Sequence, residues 1–169
     1  WWGVYFSWVD LVAGVVFYVG CGLGITVGYH RLFSHKSFKT KQPVRALFAI
    51  LGSMTIQGPL TQWVTDHRKH HAMSDSAGDP HSPHVGRDGD HHGIVGLWWA
   101  HMGWLFRTKG MERGEIWGRD LFHDPMIRRI DRLYLLWVAL SIGLPYLIGY
   151  LATGTNQGGL QTLVWAGLV

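Results

Sequence analysis

Five histidines stand in two short clusters whose spacing suits a metal ion. His30 and His35 form an HxxxxH; His67, His70 and His71 form an HxxHH. A neutral imidazole binds iron, copper, zinc or nickel through one ring nitrogen. Several protonated imidazoles held together would repel, so a metal accounts for the clusters better than a solvated basic surface does. In HxxHH the three rings sit at i, i+3 and i+4, on one helical face. The five-residue step of HxxxxH turns about 140° on an ideal helix. His30 and His35 are therefore expected to converge by the helix ending between them, where apolar Val27-Gly28 gives way to Ser34-His35-Lys36. Asp66, Asp75 and Asp79 are candidates to orient the rings through the second imidazole nitrogen, and spacing alone assigns none of them. Neither cluster has the glutamate that serves as base in the HExxH of zinc hydrolases.

Each cluster lies just beyond an apolar segment. The composition is 47% hydrophobic, 14% aromatic and only 15% charged, with ten tryptophans and twenty-three glycines, which fits a membrane protein. All fifteen Lys and Arg residues fall between Arg31 and Arg132, and 133–169 carries no charge. The sequence predicts an all-α integral membrane protein, with transmembrane helices and a cytoplasmic helical cap carrying the histidines. Residues 11–29 approach the ~20 that a spanning helix needs. Residues 43–64 form an apolar segment interrupted by Gly58-Pro59. If it crossed, the two clusters would lie on opposite sides of the bilayer, so it is predicted to re-enter or to lie buried among helices. Residues 66–132 are assigned to the cytoplasm by their basic residues, with an interfacial helix over 93–107. Residues 133–151 form a second span, and 160–169 begin a further one. The chain opens Trp1-Trp2 and stops within an apolar run, and is expected to be a fragment of a longer protein. Its one cysteine, Cys21, excludes an intramolecular disulfide and a CxxC site. The basic residues are interspersed with eleven acids, which argues against a nucleic-acid partner.

With these motifs together, the chain resembles the membrane fatty-acid desaturases of the acyl-CoA (stearoyl-CoA, Delta-9) type. Gly24-Ile-Thr-Val-Gly-Tyr-His-Arg-Leu-Phe-Ser-His35 resembles their first histidine box and Asp66-His-Arg-Lys-His-His71 their second. Asp79-Pro80-His81 and His101-Met-Gly-Trp104 resemble stretches that follow the second box. Gly-Pro before that box and Asp-Pro-His-Ser-Pro-His after it have a bacterial look.

The resemblance implies two iron ions held by His30, His35, His67, His70 and His71, with O2 as cosubstrate. It implies a fatty-acyl substrate, acyl-CoA in this branch, that gains a cis double bond, at Delta-9. Electrons would come from cytochrome b5, ferredoxin or a rubredoxin-like protein. A third box is expected beyond Val169, so this stretch alone would be inactive. The setting implied is multi-pass in a bacterial inner membrane, with the boxes facing the cytoplasm.

Gln57 and Trp63 match positions lining the bend of the acyl tunnel, and Arg107 a basic position used for the CoA headgroup. From the residues alone, Gln57 reads as a helix-packing amide, Trp63 as an interface anchor and Arg107 as a juxtamembrane arginine. Gly58 and Thr65 depart from the polar and basic headgroup contacts of the animal members. His91 and His92 are expected to be solvated, and His81 and His101 to be structural or ring-supporting; His84 and His123 carry no assignment. Membrane di-iron hydroxylases and monooxygenases share similar boxes. A non-enzymatic metal carrier would need ionisable groups along the spans, which offer almost none.

Overall fold

The computed structural model describes residues 5–76, 78–86, 89–104 and 114–168. Along the chain run α1 (Trp8–Leu23), α2 (Gln42–Ser53), α3 (Leu60–Met73), α4 (Gly93–Trp98), α5 (Gly114–Trp117), α6 (Arg119–Phe122), α7 (Pro125–Arg132), α8 (Tyr134–Thr153) and α9 (Asn156–Leu163). Among the described residues, three stretches widen into π-helix: Gly24–Ser34 after α1, Trp99–Gly103 after α4 and Val164–Leu168 after α9. Among the described residues, strand pairing is confined to Val85–Gly86 (β1) antiparallel to Gly89–Asp90 (β2). The protein is mostly helical, and it divides into two compact units, Trp1–Leu60 with Met126–Val169, and Thr61–Pro125.

In the first unit, α1 starts from a capping box. The carboxylate of Asp10 accepts the backbone N–H of Ser7 at 2.7 Å, while the Ser7 hydroxyl accepts the N–H of Asp10. This reciprocal pairing satisfies N–H groups that a helix start leaves open. The helix outruns the apolar segment 11–29, continuing without a break through Ser34. Two helical runs, Trp8–Ser34 and Tyr134–Thr153, are long and apolar enough to cross a membrane. Tyr18 (82% exposed), Leu135 (78%) and Leu151 (72%) turn outward from them, giving apolar surface that a lipid environment accommodates.

The segment 43–64 is not one helix. Pro43 lies in the first turn of α2, where its missing N–H costs nothing. Twelve residues of α2 rise about 18 Å, well short of the ~30 Å hydrocarbon core. A turn follows, with Ile56 at φ 62° and Gly58 at φ 107°. The Tyr29 hydroxyl pairs with that of Ser53 at 2.9 Å, and the N–H of Gly58 donates to the Tyr134 hydroxyl at 3.1 Å. Leu60 N–H donates to the Asp131 carboxylate at 2.9 Å. The turn's polar backbone is thus met by side chains of the first unit. The π-helical stretch packs on α2 through glycine: a Cβ on Gly24 would collide with the Gly52 backbone, and one on Gly52 with the Tyr29 ring.

The C-terminal helices form a hairpin. Gly154 takes the left-handed conformation (φ 69°) that ends α8, as glycine does at little cost. Thr155 then caps α9, its hydroxyl accepting the N–H of Gly158 at 3.1 Å.

In the second unit, α3 packs on α5 and α6. Val64 and Thr65 are fully buried, and Gly118 lies against the Thr65 hydroxyl. Arg68 donates two hydrogen bonds to Asp120, at 2.7 and 3.1 Å, and one to the carbonyl of Trp117 at 2.8 Å. This forked pairing fixes the rotation of α3 about its axis.

Candidate metal centre

His30 and His35 meet, by a route other than the expected one. The helix does not end between them; it widens. The N–H of His35 donates to the carbonyl of His30 at 3.0 Å, an i→i+5 bond. The Ser34 hydroxyl likewise reaches back five residues to the carbonyl of Tyr29 at 2.8 Å. A helix with i→i+5 bonds turns less per residue than an α-helix and so brings i and i+5 toward one face, where an α-helix would separate them. The two Nε2 atoms lie 3.2 Å apart.

On α3 the i,i+4 partners behave as their spacing predicts. The Nε2 atoms of His67 and His71 lie 3.1 Å apart. Trp63, one turn earlier, stacks on His67 with centroids 4.7 Å apart and planes 20° apart. His70, on the same helix, has a partner of its own. Its Nδ1 faces the carboxylate of Asp79, at 2.9 and 3.1 Å from the two oxygens. Asp75 (φ 55°) and Gly78 (φ 124°) fold the chain back so that this contact forms. Of the three candidate orienters Asp66, Asp75 and Asp79, the loop brings Asp79 to His70, an assignment that spacing alone leaves open.

Asp79 also accepts the backbone N–H groups of Asp75 at 3.0 Å and His81 at 3.1 Å. Burial pushes its carboxyl upward, but the hydrogen bonds from His70, His81 and Asp75 outweigh that and hold it below the ordinary carboxylate range. His81 stacks on His70 at 4.2 Å between centroids, with planes 22° apart, and Trp104 lies 5.2 Å from His81. Burial, and then the neighbouring His70, push the His81 imidazole below its usual value.

The donor sets fit a transition metal. With metal–nitrogen bonds near 2.1 Å, adjacent ligand nitrogens sit roughly 3.0 Å apart in an octahedron and 3.4 Å in a tetrahedron. Separations of 3.2 and 3.1 Å fall in that range. All-imidazole donors suit iron, copper, zinc or nickel and argue against calcium or magnesium.

The family model described as fatty acid desaturase matches residues 1–169, the whole chain. The chain belongs to the fatty acid desaturase family. The chain is 39% identical over 149 residues to a hex-5-enoyl-[acyl-carrier protein] acetylenase of Moorena producens, covering 87% of the chain and 46% of the relative. It is 32% identical over 162 residues to an sn-1 stearoyl-lipid 9-desaturase of Anabaena variabilis, covering 95% and 53%. An acyl-CoA 5-desaturase of Anemone leveillei is 35% identical over 166 residues, covering 95% and 45%. The chain therefore spans about half the length of the curated relatives it matches.

The first unit holds a cavity of about 790 Å³. Phe6, Val15, Phe17 and Trp165 line it, and Gln57 joins them at the turn after α2. Trp63, the other predicted tunnel residue, lies against His67 in the second unit. Arg107 lies outside the described residues. Thr65 is buried, donating its hydroxyl to the carbonyl of Thr61 at 2.6 Å. His101 and His123 each engage a carbonyl four residues back through Nδ1, of Leu97 at 2.9 Å and Arg119 at 2.8 Å. His92 is exposed, whereas His91 lies against Trp99, with centroids 5.2 Å apart.

Proposed function

We propose that the chain is part of an O2-dependent di-iron desaturase that introduces a cis double bond into a saturated fatty-acyl chain, at Delta-9. The observation that carries this reading is the pairing of Nε2 atoms, at 3.2 Å in HxxxxH and 3.1 Å in HxxHH, within a desaturase family member. His30, His35, His67, His70 and His71 would hold the metal as neutral imidazoles. When bound, the irons supply the O2 activation needed to attack unactivated C–H bonds. One turnover takes one O2, two electrons and two protons. It removes one hydrogen from each of two adjacent methylenes and yields the alkene and two waters.

The chain's own residues supply position. The volume of the cavity is in the range of ligand pockets, and its Phe and Trp walls suit methylenes. Gln57 sets a polar group on the cavity wall, at the backbone turn after α2. Trp63 holds the plane of His67. The short α2 and the turn after it support a segment that enters the bilayer without crossing. In this reading both histidine motifs lie on the cytoplasmic side of a multi-pass, bacterial inner-membrane protein. A helical cap would carry the second motif, and exposed Ile94, Val95, Leu97 and Trp98 on α4 would lie at the lipid interface.

The substrate carrier is CoA in this reading, and the electron donor a one-electron carrier such as cytochrome b5, ferredoxin or a rubredoxin-like protein. The relatives' names specify acyl-carrier protein, lipid and CoA substrates, so the assay must offer all three. The test is product analysis of the intact protein, supplied with iron, O2, reductant and a saturated acyl chain. An alkene with two hydrogens lost supports the proposal. An alcohol as main product makes the enzyme a hydroxylase and overturns it. The acetylenase relative favours one further substrate. The same removal of two hydrogens from an alkene gives an alkyne, so a mono-unsaturated chain belongs in the same assay.

A further inference from the structure

Asp79 is an anionic side chain in a polar loop, yet it is 7% exposed. Burying a carboxylate is expensive unless donors surround it. Three donors do so: Nδ1 of His70 and the backbone N–H groups of Asp75 and His81. A carboxylate only accepts, so the proton between Asp79 and His70 belongs on Nδ1 of the imidazole. That choice leaves the lone pair of His70 on Nε2, the same atom that His30, His35, His67 and His71 turn toward their partners. The ring's remaining freedom is rotation out of plane, and His81 stacked on its face restricts it.

We propose that Asp79 is the positioning residue that fixes the tautomer and direction of His70, with His81 as the support for its ring plane. This rests on the reading of His70 as a metal ligand. His70, Asp79 and His81 also bring one ligand atom each within 4.8 Å of one another, which on its own could be read as a separate metal site. The hydrogen bonds argue against that reading. Both oxygens of Asp79 are already engaged by N–H donors, and a metal there would have to displace the proton on Nδ1. The distance from ligand to orienter is nine residues in sequence, and no motif spacing encodes it.

The experiment compares the intact protein with Asp79→Ala, Asp79→Asn and His81→Phe. Iron affinity is measured by chelator competition, iron content at saturation by elemental analysis, and site geometry by visible absorption after cobalt(II) substitution. Loss of a carboxylate that orients a ligand histidine weakens metal binding by about 10–100-fold. Asp79→Ala is expected to show that loss and a shifted cobalt spectrum. Asp79→Asn keeps an oxygen acceptor for Nδ1–H and is expected to fall between Asp79→Ala and wild type. His81→Phe keeps a stacking ring and should match wild type in iron content.

If Asp79→Ala fails to fold, Asp79→Asn decides alone: weakened affinity with a shifted spectrum supports the proposal, and wild-type values overturn it. Loss of one metal equivalent in both Asp79→Asn and His81→Phe, with the remaining metal bound at full affinity, would make the cluster a separate site and also overturn it. A wild-type protein that holds no iron sinks the di-iron reading, and this inference with it. Iron in the wild type at unchanged affinity in both Asp79 variants sinks this inference alone.

Discussion

Thr162 donates its hydroxyl to Asp10 at 2.6 Å, joining two residues 152 positions apart near opposite ends of the chain. Gln161 donates to the other carboxylate oxygen, also at 2.6 Å, and Asp10 is 1% exposed. The carboxylate that closes the capping box of α1 therefore also ties that helix to α9. Asp10→Ala leaves the buried Thr162 hydroxyl, and the part-buried donors of Ser7 and Gln161, without this acceptor, at about 1–3 kcal/mol for the buried one. We expect a thermal midpoint lowered by several degrees for the intact protein in nanodiscs, and a smaller drop for Asp10→Asn. Melting of Asp10→Ala at the wild-type temperature would refute the link's importance.

Each of the four histidines that meet in pairs should be needed for metal. His30→Ala, His35→Ala, His67→Ala and His71→Ala are expected to lose bound iron and at least 100-fold in desaturation, with the helical circular dichroism retained. Wild-type iron content in any one of them removes that residue from the ligand set.

Trp63 stacks on His67, and aromatic pairs of this kind contribute about 0.5–1.5 kcal/mol beyond burial. Trp63→Ala is expected to weaken iron binding by about 2–10-fold, the equivalent of that energy, while Trp63→Phe restores most of it. Equal affinity in all three proteins would show that the stack does not support the site.

The glycines of the first helical run should divide sharply. Gly24 lies against the Gly52 backbone, whereas Gly22 has no atom within 4 Å of a Cβ built on it. Gly24→Leu is expected to yield aggregated protein by size exclusion. Gly22→Ala should be tolerated, with a gain of about 0.5–1 kcal/mol from reduced backbone freedom. Aggregation of Gly22→Ala, or monodisperse Gly24→Leu, would contradict the packing.

The sequence by itself determined what depends on local pattern. The apolar runs locate the two long helices, because burial of apolar groups acts residue by residue over a stretch. The i,i+4 spacing of His67 and His71 placed those rings together, because an α-helix repeats near that period. The two histidine motifs also carried the family resemblance, which the whole-chain match to the desaturase family bears out. Tertiary structure decided the rest. The α and π forms of Gly24–Ser34 differ by one residue in the hydrogen-bond step, and no residue pattern in HxxxxH selects between them. The conformation adopted is the one whose glycines fit against α2. His70 has the spacing to join His67, and its Nδ1 partner, Asp79, comes from a folded-back loop. Asp10 has no role legible in the sequence, and only the capping box of α1 and the packing of α9 beside it reveal its two roles. In each case the deciding partner lies outside the local helical repeat, where the energy of a contact depends on the fold that brings it near.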